Sequence, residues 1–130
     1  MPVGLGTAGL ANAWLNTLRN TSFTVGAVWV RLHTGDPGAA GNSALSANSI
    51  RSQVTFAAAS GGAMALTTPN PYWTNGGTSE TLTHISAWTS STGGTMLFTA
   101  ALGTSTPWTA GETFVLTALS VSLAPLASGV

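Results

Sequence analysis

The chain has 130 residues, no cysteine and a formal net charge of zero, and only 5% of its residues are charged, about a fifth of the share in a typical soluble domain. Its three scattered arginines cannot neutralise a phosphate backbone, and no apolar run approaches the ~18–20 residues that cross a bilayer, so neither nucleic acid nor a membrane is an expected partner. Because repulsion between copies is weak and most acid, base and metal-ligand side chains are missing, the composition favours a non-enzymatic component of an assembly.

The first predicted element is an amphipathic α-helix from about residue 7 to residue 19. Leu10, Trp14 and Leu18 recur at a spacing of four residues and so fall on one face of it. We divide the chain into an N-terminal arm and helix, a β domain and a C-terminal tail, which together form a single domain. Their boundaries are residues 1–24, 25–124 and 125–130.

The rest of the chain predicts strands and turns. A half-buried strand is predicted over 28–33, followed by a long surface loop over 35–49. Two hairpins are predicted over 52–67 and 82–102, and a final strand pair would join 97–102 with 113–123. Short strands at regular spacing with glycine-rich turns predict a mainly β fold. We expect an antiparallel, jelly-roll-like β-sandwich with one N-terminal α-helix.

A tight turn is predicted at the end of the first strand. Asp36 would accept backbone N–H bonds, with Pro37 at the second turn position and Gly38 after it. His33 would be a strand residue with its imidazole satisfied by hydrogen bonds. His33 and Asp36 also have the spacing of two metal ligands, but a complete site would need a distant third ligand, so no metal site is predicted.

Two sequence patterns suggest chemistry that their context does not support. Gly4, Gly6 and Gly9 spell G-x-G-x-x-G before the helix, but no strand precedes them and no acid follows at about 20 positions, so no cofactor is predicted. An arm leading into the helix explains them better. No G-x-S-x-G elbow accompanies the histidines, so no catalytic residue is predicted either.

The five tryptophans are the best argument for a binding surface. Trp and Tyr anchor protein–protein contacts, and their faces also stack on sugars. Tyr72 and Trp73 follow a proline-rich breaker and would form an exposed tip, while Trp14 and Trp88 fit core packing. The predicted docking or oligomer residues are Leu10, Trp14, Leu18, Tyr72, Trp73 and Trp108.

Several strings resemble, in order, a family of small bacteriophage virion proteins that carry an "LHT-x-DPG" element and are often labelled tail-fibre-like or minor tail proteins. They are the strings over 32–38 (LHTGDPG), 53–62 (QVTFAAASGG), 83–88 (THISAW), 92–94 (TGG) and 110–113 (AGET), with a final strand over 119–123. The chain departs from the family pattern at Ser86 and Thr89, where the family has Gly and Asp. The resemblance implies a structural protein of the phage virion.

Two functions are compatible with this resemblance. We expect a capsid decoration or minor capsid protein that forms homo-oligomers and reinforces the shell by contact with the major capsid protein. The alternative is a minor tail or tail-fibre protein that binds a host surface glycan through Tyr72, Trp73 or Trp108.

Overall fold

The computed structural model describes residues 3–122. Over this range a helical segment is followed by eight strands. The strands are β1 (Val28–His33), β2 (Ser52–Val54), β3 (Ala63–Ala65), β4 (Tyr72–Thr74), β5 (Glu80–Trp88), β6 (Met96–Trp108), β7 (Thr113–Val115) and β8 (Ser120–Ser122). The predictions for the first two residues and for the tail 125–130 lie outside the described residues.

The helical segment has the predicted bounds but changes geometry along its length. It comprises a π-turn over Thr7–Ala11, an α-helix, α1, over Asn12–Asn16 and a 3₁₀ turn over Thr17–Arg19. Asn20 ends it in the left-handed conformation, with φ of 62°, as is common for the residue after a helix. The predicted N-terminal helix is confirmed.

The main sheet has four antiparallel strands in the order β2-β1-β5-β6. The predicted hairpin of β5 and β6 is its longest pairing and runs from Glu80 opposite Trp108 to Trp88 opposite Met96. Side chains alternate between the two faces of each strand. One face of β1 and β5 carries fully buried apolar residues, namely Val30, Leu32, Ile85 and Ala87.

Two short ladders, β3 with β8 and β4 with β7, complete the β-structure. Trp73 of β4 and Leu116 after β7 belong to the same buried cluster as the apolar face of the main sheet, and Phe114 and Val121 pack against it. This sandwich-like arrangement buries the core between the main sheet and the ladders. The prediction of a mainly β, antiparallel fold with an N-terminal helix is confirmed.

The predicted pairing of residues 97–102 with 113–123 is wrong. β6 pairs with β5, while β7 and β8 pair with β4 and β3. The predicted hairpin over 52–67 is found only in part. Thr55 and Thr67 are joined by a backbone bond of 2.9 Å across it, but β2 and β3 pair with β1 and β8 and not with each other.

The glycine-rich N-terminal segment has a packing role. The N–H of Gly6 donates to the carbonyl of Leu97 at 2.6 Å, and the N–H of Thr99 donates to the carbonyl of Gly4 at 2.8 Å. A Cβ atom on Gly9 would lie 2.1 Å from the carbonyl oxygen of Met96. The first turn of the helix therefore touches the backbone of β6, which explains the glycines without a dinucleotide.

We predict that Gly9→Ala lowers the free energy of unfolding by about 1–3 kcal/mol or more, because backbone must move to admit the methyl group. The matched control is Gly26→Ala, since a Cβ there meets nothing within 4 Å, and we expect a change within about 0.5 kcal/mol. Urea unfolding of both variants measures the difference. Equal stabilities would show that the close approach at β6 is wrong.

Candidate binding surface

A chain of neutral hydrogen bonds crosses the main sheet on the face away from the apolar core. The Nε1–H of Trp88 donates to Oγ of Ser86 at 2.7 Å. Ser86 Oγ lies 2.7 Å from Nε2 of His33, whose Nδ1 lies 2.9 Å from the carbonyl of Ser43. Because a carbonyl can only accept, Nδ1 carries the proton and Nε2 accepts from Ser86. The chain fixes the loop after β1 to the sheet.

This network is structural. His33 and Ser86 are both fully buried, so the pair is closed to a substrate, although its distance would suit a nucleophile and its base. Burial lowers the pKa of His33 below its ordinary value of 6.5, and the bond to the Ser43 carbonyl opposes this effect. Within residues 3–122, no three His, Cys, Asp or Glu side chains are grouped as metal ligands.

The turn residues predicted after β1 lie in the loop that this network holds. Asp36 Oδ1 accepts from the N–H of Gly38 at 2.7 Å, and this bond is the main cause of the lowered pKa of Asp36. Gly38 has φ of 74°, a conformation that favours glycine, and Pro37 is fully buried.

Trp73 and Trp108, predicted as interface residues, lie in the core of this chain. Each is only 2% exposed. Trp73 Nε1–H donates to the carbonyl of Ile50 and Trp108 Nε1–H to that of Glu112, each at 3.0 Å. Trp73 also packs against Phe114, with ring centroids 6.0 Å apart. Because both indoles are buried, neither can stack on a sugar. Of the three predicted glycan-binding residues, Tyr72 is the one with an accessible ring, since it is 64% exposed.

A shallow groove runs beside Tyr72. Its apolar part has a volume of about 530 Å³ and is lined by Tyr72, Ile50, Pro69 and Pro71 among others. Ile50 is 65% exposed. A second, more polar hollow of about 400 Å³ shares Asn48, Ile50 and Thr74 with the first. The two hollows are adjacent, and we refer to them together as the Tyr72 groove.

The polar end of the Tyr72 groove is held rigidly by internal bonds. Asn48 donates from Nδ2 to the carbonyl of Thr74 at 3.0 Å and accepts at Oδ1 from the N–H of Ile50 at 2.9 Å. Glu80 lines the same end and accepts from the hydroxyl of Ser46 and from the N–H of Ala47. The groove therefore offers an aromatic ring and an aliphatic side chain beside an amide and a carboxylate.

Sequence reasoning missed Ile50 and Asn48. A signal was present, because Ile50 is a large apolar residue at the end of a segment rich in Gly, Ala, Ser and Asn. Its place in the same groove as Tyr72 follows from the tertiary fold, which no local pattern predicts.

The predicted docking residues of the helix separate into two groups. Leu10 is buried in the chain's own core and Trp14 is half-buried against it. Leu18 is 85% exposed, and Leu15 beside it is also exposed. The exposed apolar surface of the helix therefore lies in its last two turns.

We predict that the chain loses stability as the pH falls from about 7.5 to about 5.5. The folded state holds the pKa of His33 below 6.5, so the unfolded state takes up the proton first and the free energy of unfolding decreases, by at most about 1.4 kcal/mol per pH unit for one proton. Urea unfolding at several pH values measures the slope. His33→Gln should reduce the slope, whereas an unchanged slope in this variant would contradict the assignment.

The comparison with known proteins agrees with a phage structural protein. The sequence model of one protein family, Podophage GP4 fiber I protein gp80, matches residues 7–124. The match covers the helix and all eight described strands. No curated protein sequence matches the chain. Among the described residues, no helix is long and apolar enough to cross a membrane. The match supports a phage tail-fibre-type protein. It does not confirm the more specific resemblance to the "LHT-x-DPG" type, which rested on the string over 32–38. The chain therefore belongs to the family of the podophage GP4 fiber I protein gp80, and it is a structural component of a phage virion.

Proposed function

We propose that this chain is a tail-fibre subunit that binds a glycan of the host surface in the Tyr72 groove. The observation that carries the proposal is the exposed Tyr72 ring beside Ile50, with the amide of Asn48 and the carboxylate of Glu80 along the same groove. The match to a fibre family supports this alternative over the predicted capsid decoration.

The chemistry of the groove suits a neutral sugar. The face of a tyrosine ring packs on the C–H face of a pyranose, and amide and carboxylate groups pair with its hydroxyls. The groove linings include no arginine or histidine, so nothing in them selects an acidic sugar. Because the polar groups are fixed by internal bonds, little side-chain entropy is lost on binding. The role is binding without catalysis, in keeping with a fibre family.

The helix is the proposed attachment to the rest of the virion. Leu15 and Leu18 present apolar side chains to solvent, and burying one leucine contributes about 1.5–3 kcal/mol. Contacts of this size are sufficient to hold a chain in a particle when they are repeated by symmetry. The partner would be a neighbouring fibre or tail chain.

We predict that Tyr72→Ala weakens binding of the purified chain to host surface polysaccharide by about tenfold or more, as for an aromatic hot spot. Glycan-array fluorescence followed by titration calorimetry measures the loss. The matched control is Leu18→Ala, which removes an exposed apolar side chain outside the groove. Thermal melting should be nearly unchanged in both variants, because both side chains are mostly exposed. Unchanged binding by a folded Tyr72→Ala variant would refute the groove assignment.

For the helix, we predict that Leu18→Ser reduces the number of copies incorporated into particles, because a polar side chain cannot replace the buried leucine. Quantitative mass spectrometry of purified virions measures the copy number. Thr17→Ser, an exposed change one residue away, is the control. Wild-type incorporation of Leu18→Ser would show that the helix end is not the attachment point.

A further inference from the structure

The strand β7 is bonded to β4 along one of its two edges. The N–H of Leu116 donates to the carbonyl of Pro71 at 3.0 Å, and the N–H of Asn75 donates to the carbonyl of Glu112 at 2.8 Å. Residues opposite each other in an antiparallel ladder alternate between bonded and unbonded pairs. The even-numbered residues over 112–116 therefore direct their backbone groups to β4.

The odd-numbered residues Thr113, Val115 and Thr117 direct their backbone N–H and C=O groups to the outer edge of β7. Within the described part of the chain, no backbone bond joins this edge to another strand. All three residues are exposed, and Val115 retains 43% of its accessible surface. The outer edge of β7 is therefore an unpaired strand edge at the surface.

β6 lies beside this edge without pairing with it. Residues 102–104 of β6 and residues 114–118 line a common hollow of about 330 Å³. β6 bulges at this point, because residues 102–105 have no partner in β5. The other side of the sandwich is closed, since the N–H of Thr67 donates to the carbonyl of Thr55 at 2.9 Å. The sandwich is thus open along β7.

The β7 segment lacks the residues that protect exposed sheet edges. Charged side chains and proline commonly block the pairing of such an edge with another chain, and glycine weakens a strand. Residues 113–122 (TFVLTALSVS) contain none of these, and their β-branched and aromatic side chains favour a strand. An unprotected edge of this composition is a template for a further strand.

The sequence of this edge fits a second copy of itself. Val115 is flanked by Phe114 and Leu116, and these are flanked by Thr113 and Thr117. In an antiparallel pair centred on Val115, threonine therefore meets threonine, valine meets valine and Phe114 meets Leu116. Cross-strand pairs of these kinds stabilise a sheet. The segment carries no charge, so two copies meet without repulsion.

We propose that β7 pairs with β7 of a second copy across a two-fold axis at Val115. The strands β4 and β7 of both copies then form one antiparallel sheet. A two-fold contact uses the same surface on both copies and is closed, so it gives a dimer. Tyr72 lies directly opposite Val115 in β4, and the two Tyr72 rings would share one face of the sheet, about 15 Å apart. The contact goes beyond the glycan proposal and does not depend on it.

The absence of cysteine from the chain permits a direct test by crosslinking. In the proposed pair the two Val115 Cα atoms lie about 5.5 Å apart, a separation that a disulfide spans. Mild oxidation of the full chain carrying Val115→Cys should therefore yield linked dimers, about tenfold faster or more than for Ser79→Cys. Ser79, an exposed residue outside the strands, is the matched control.

Sedimentation equilibrium measures association without a crosslink. Val115→Pro removes an N–H that points to the second copy and keeps the bonds to β4, so self-association should weaken by about tenfold or more. Val115→Lys places like charges opposite each other across the axis and should also weaken it. Val115→Thr keeps the N–H and the β-branched shape and should associate as wild type.

Three results would overturn the proposal. One is a wild-type chain that stays monomeric at millimolar concentration. Another is self-association that neither Val115→Pro nor Val115→Lys changes, and a third is a dimer in which Val115→Cys links no faster than Ser79→Cys. Thermal melting checks that the variants fold, and Val115→Lys, at an exposed side chain, keeps the test decisive if Val115→Pro does not. No glycan is present in these experiments, so failure of this contact and failure of the groove assignment are distinguishable.

Discussion

The hydrogen-bond chain from Trp88 through Ser86 and His33 to the carbonyl of Ser43 is the constraint on which the rest of the molecule depends. The main sheet is covered on both faces, and one of them carries polar side chains. A chain with so few charges cannot satisfy that face with ion pairs. Across the middle of that face it uses neutral donors and acceptors instead, from the indole of Trp88 to the carbonyl of Ser43. A neutral His33 is part of this solution, which is why protonation opposes folding.

The Tyr72 groove depends on the same constraint. The loop that His33 holds against the sheet leads to Ser46, where Glu80 fixes the backbone from β5. The chain then reaches Ile50, whose carbonyl accepts from the buried indole of Trp73. The backbone of Ile50 is in this way held at its carbonyl by the buried Trp73, while Glu80 fixes the chain at Ser46 and Ala47 just before it. A rigid position of this kind is what a binding groove needs, because little entropy is then lost when a ligand is ordered against it.

Features encoded in neighbouring residues were predictable from the sequence. The helix over 7–19, the alternation in β1 and the β5–β6 hairpin all depend on local periodicity or on a short glycine turn. The pairing of β7 with β4 was not predictable, because three-residue strands far apart in the chain carry no local register signal. Trp73 was misplaced for the same reason. Its proline-rich flank is typical of an exposed tip, but the pairing with β7 buries its ring against Phe114.

The candidate site was predictable only through Tyr72. The groove is assembled from residues around 48–52 and 69–80, and the contact between these segments follows from the tertiary fold. Likewise, Arg31 and Arg51 become neighbours through the register of β1 and β2. Their charges were visible in the composition, whereas their juxtaposition was not.

The most direct test of the account is the position and number of this chain in intact particles. Immunogold labelling and quantitative mass spectrometry of purified virions would give both. The account predicts label at the tail and a small number of copies, in a multiple set by the symmetry of the fibre. Label over the whole capsid, with hundreds of copies in a fixed ratio to the shell subunit, would contradict it and support shell decoration instead.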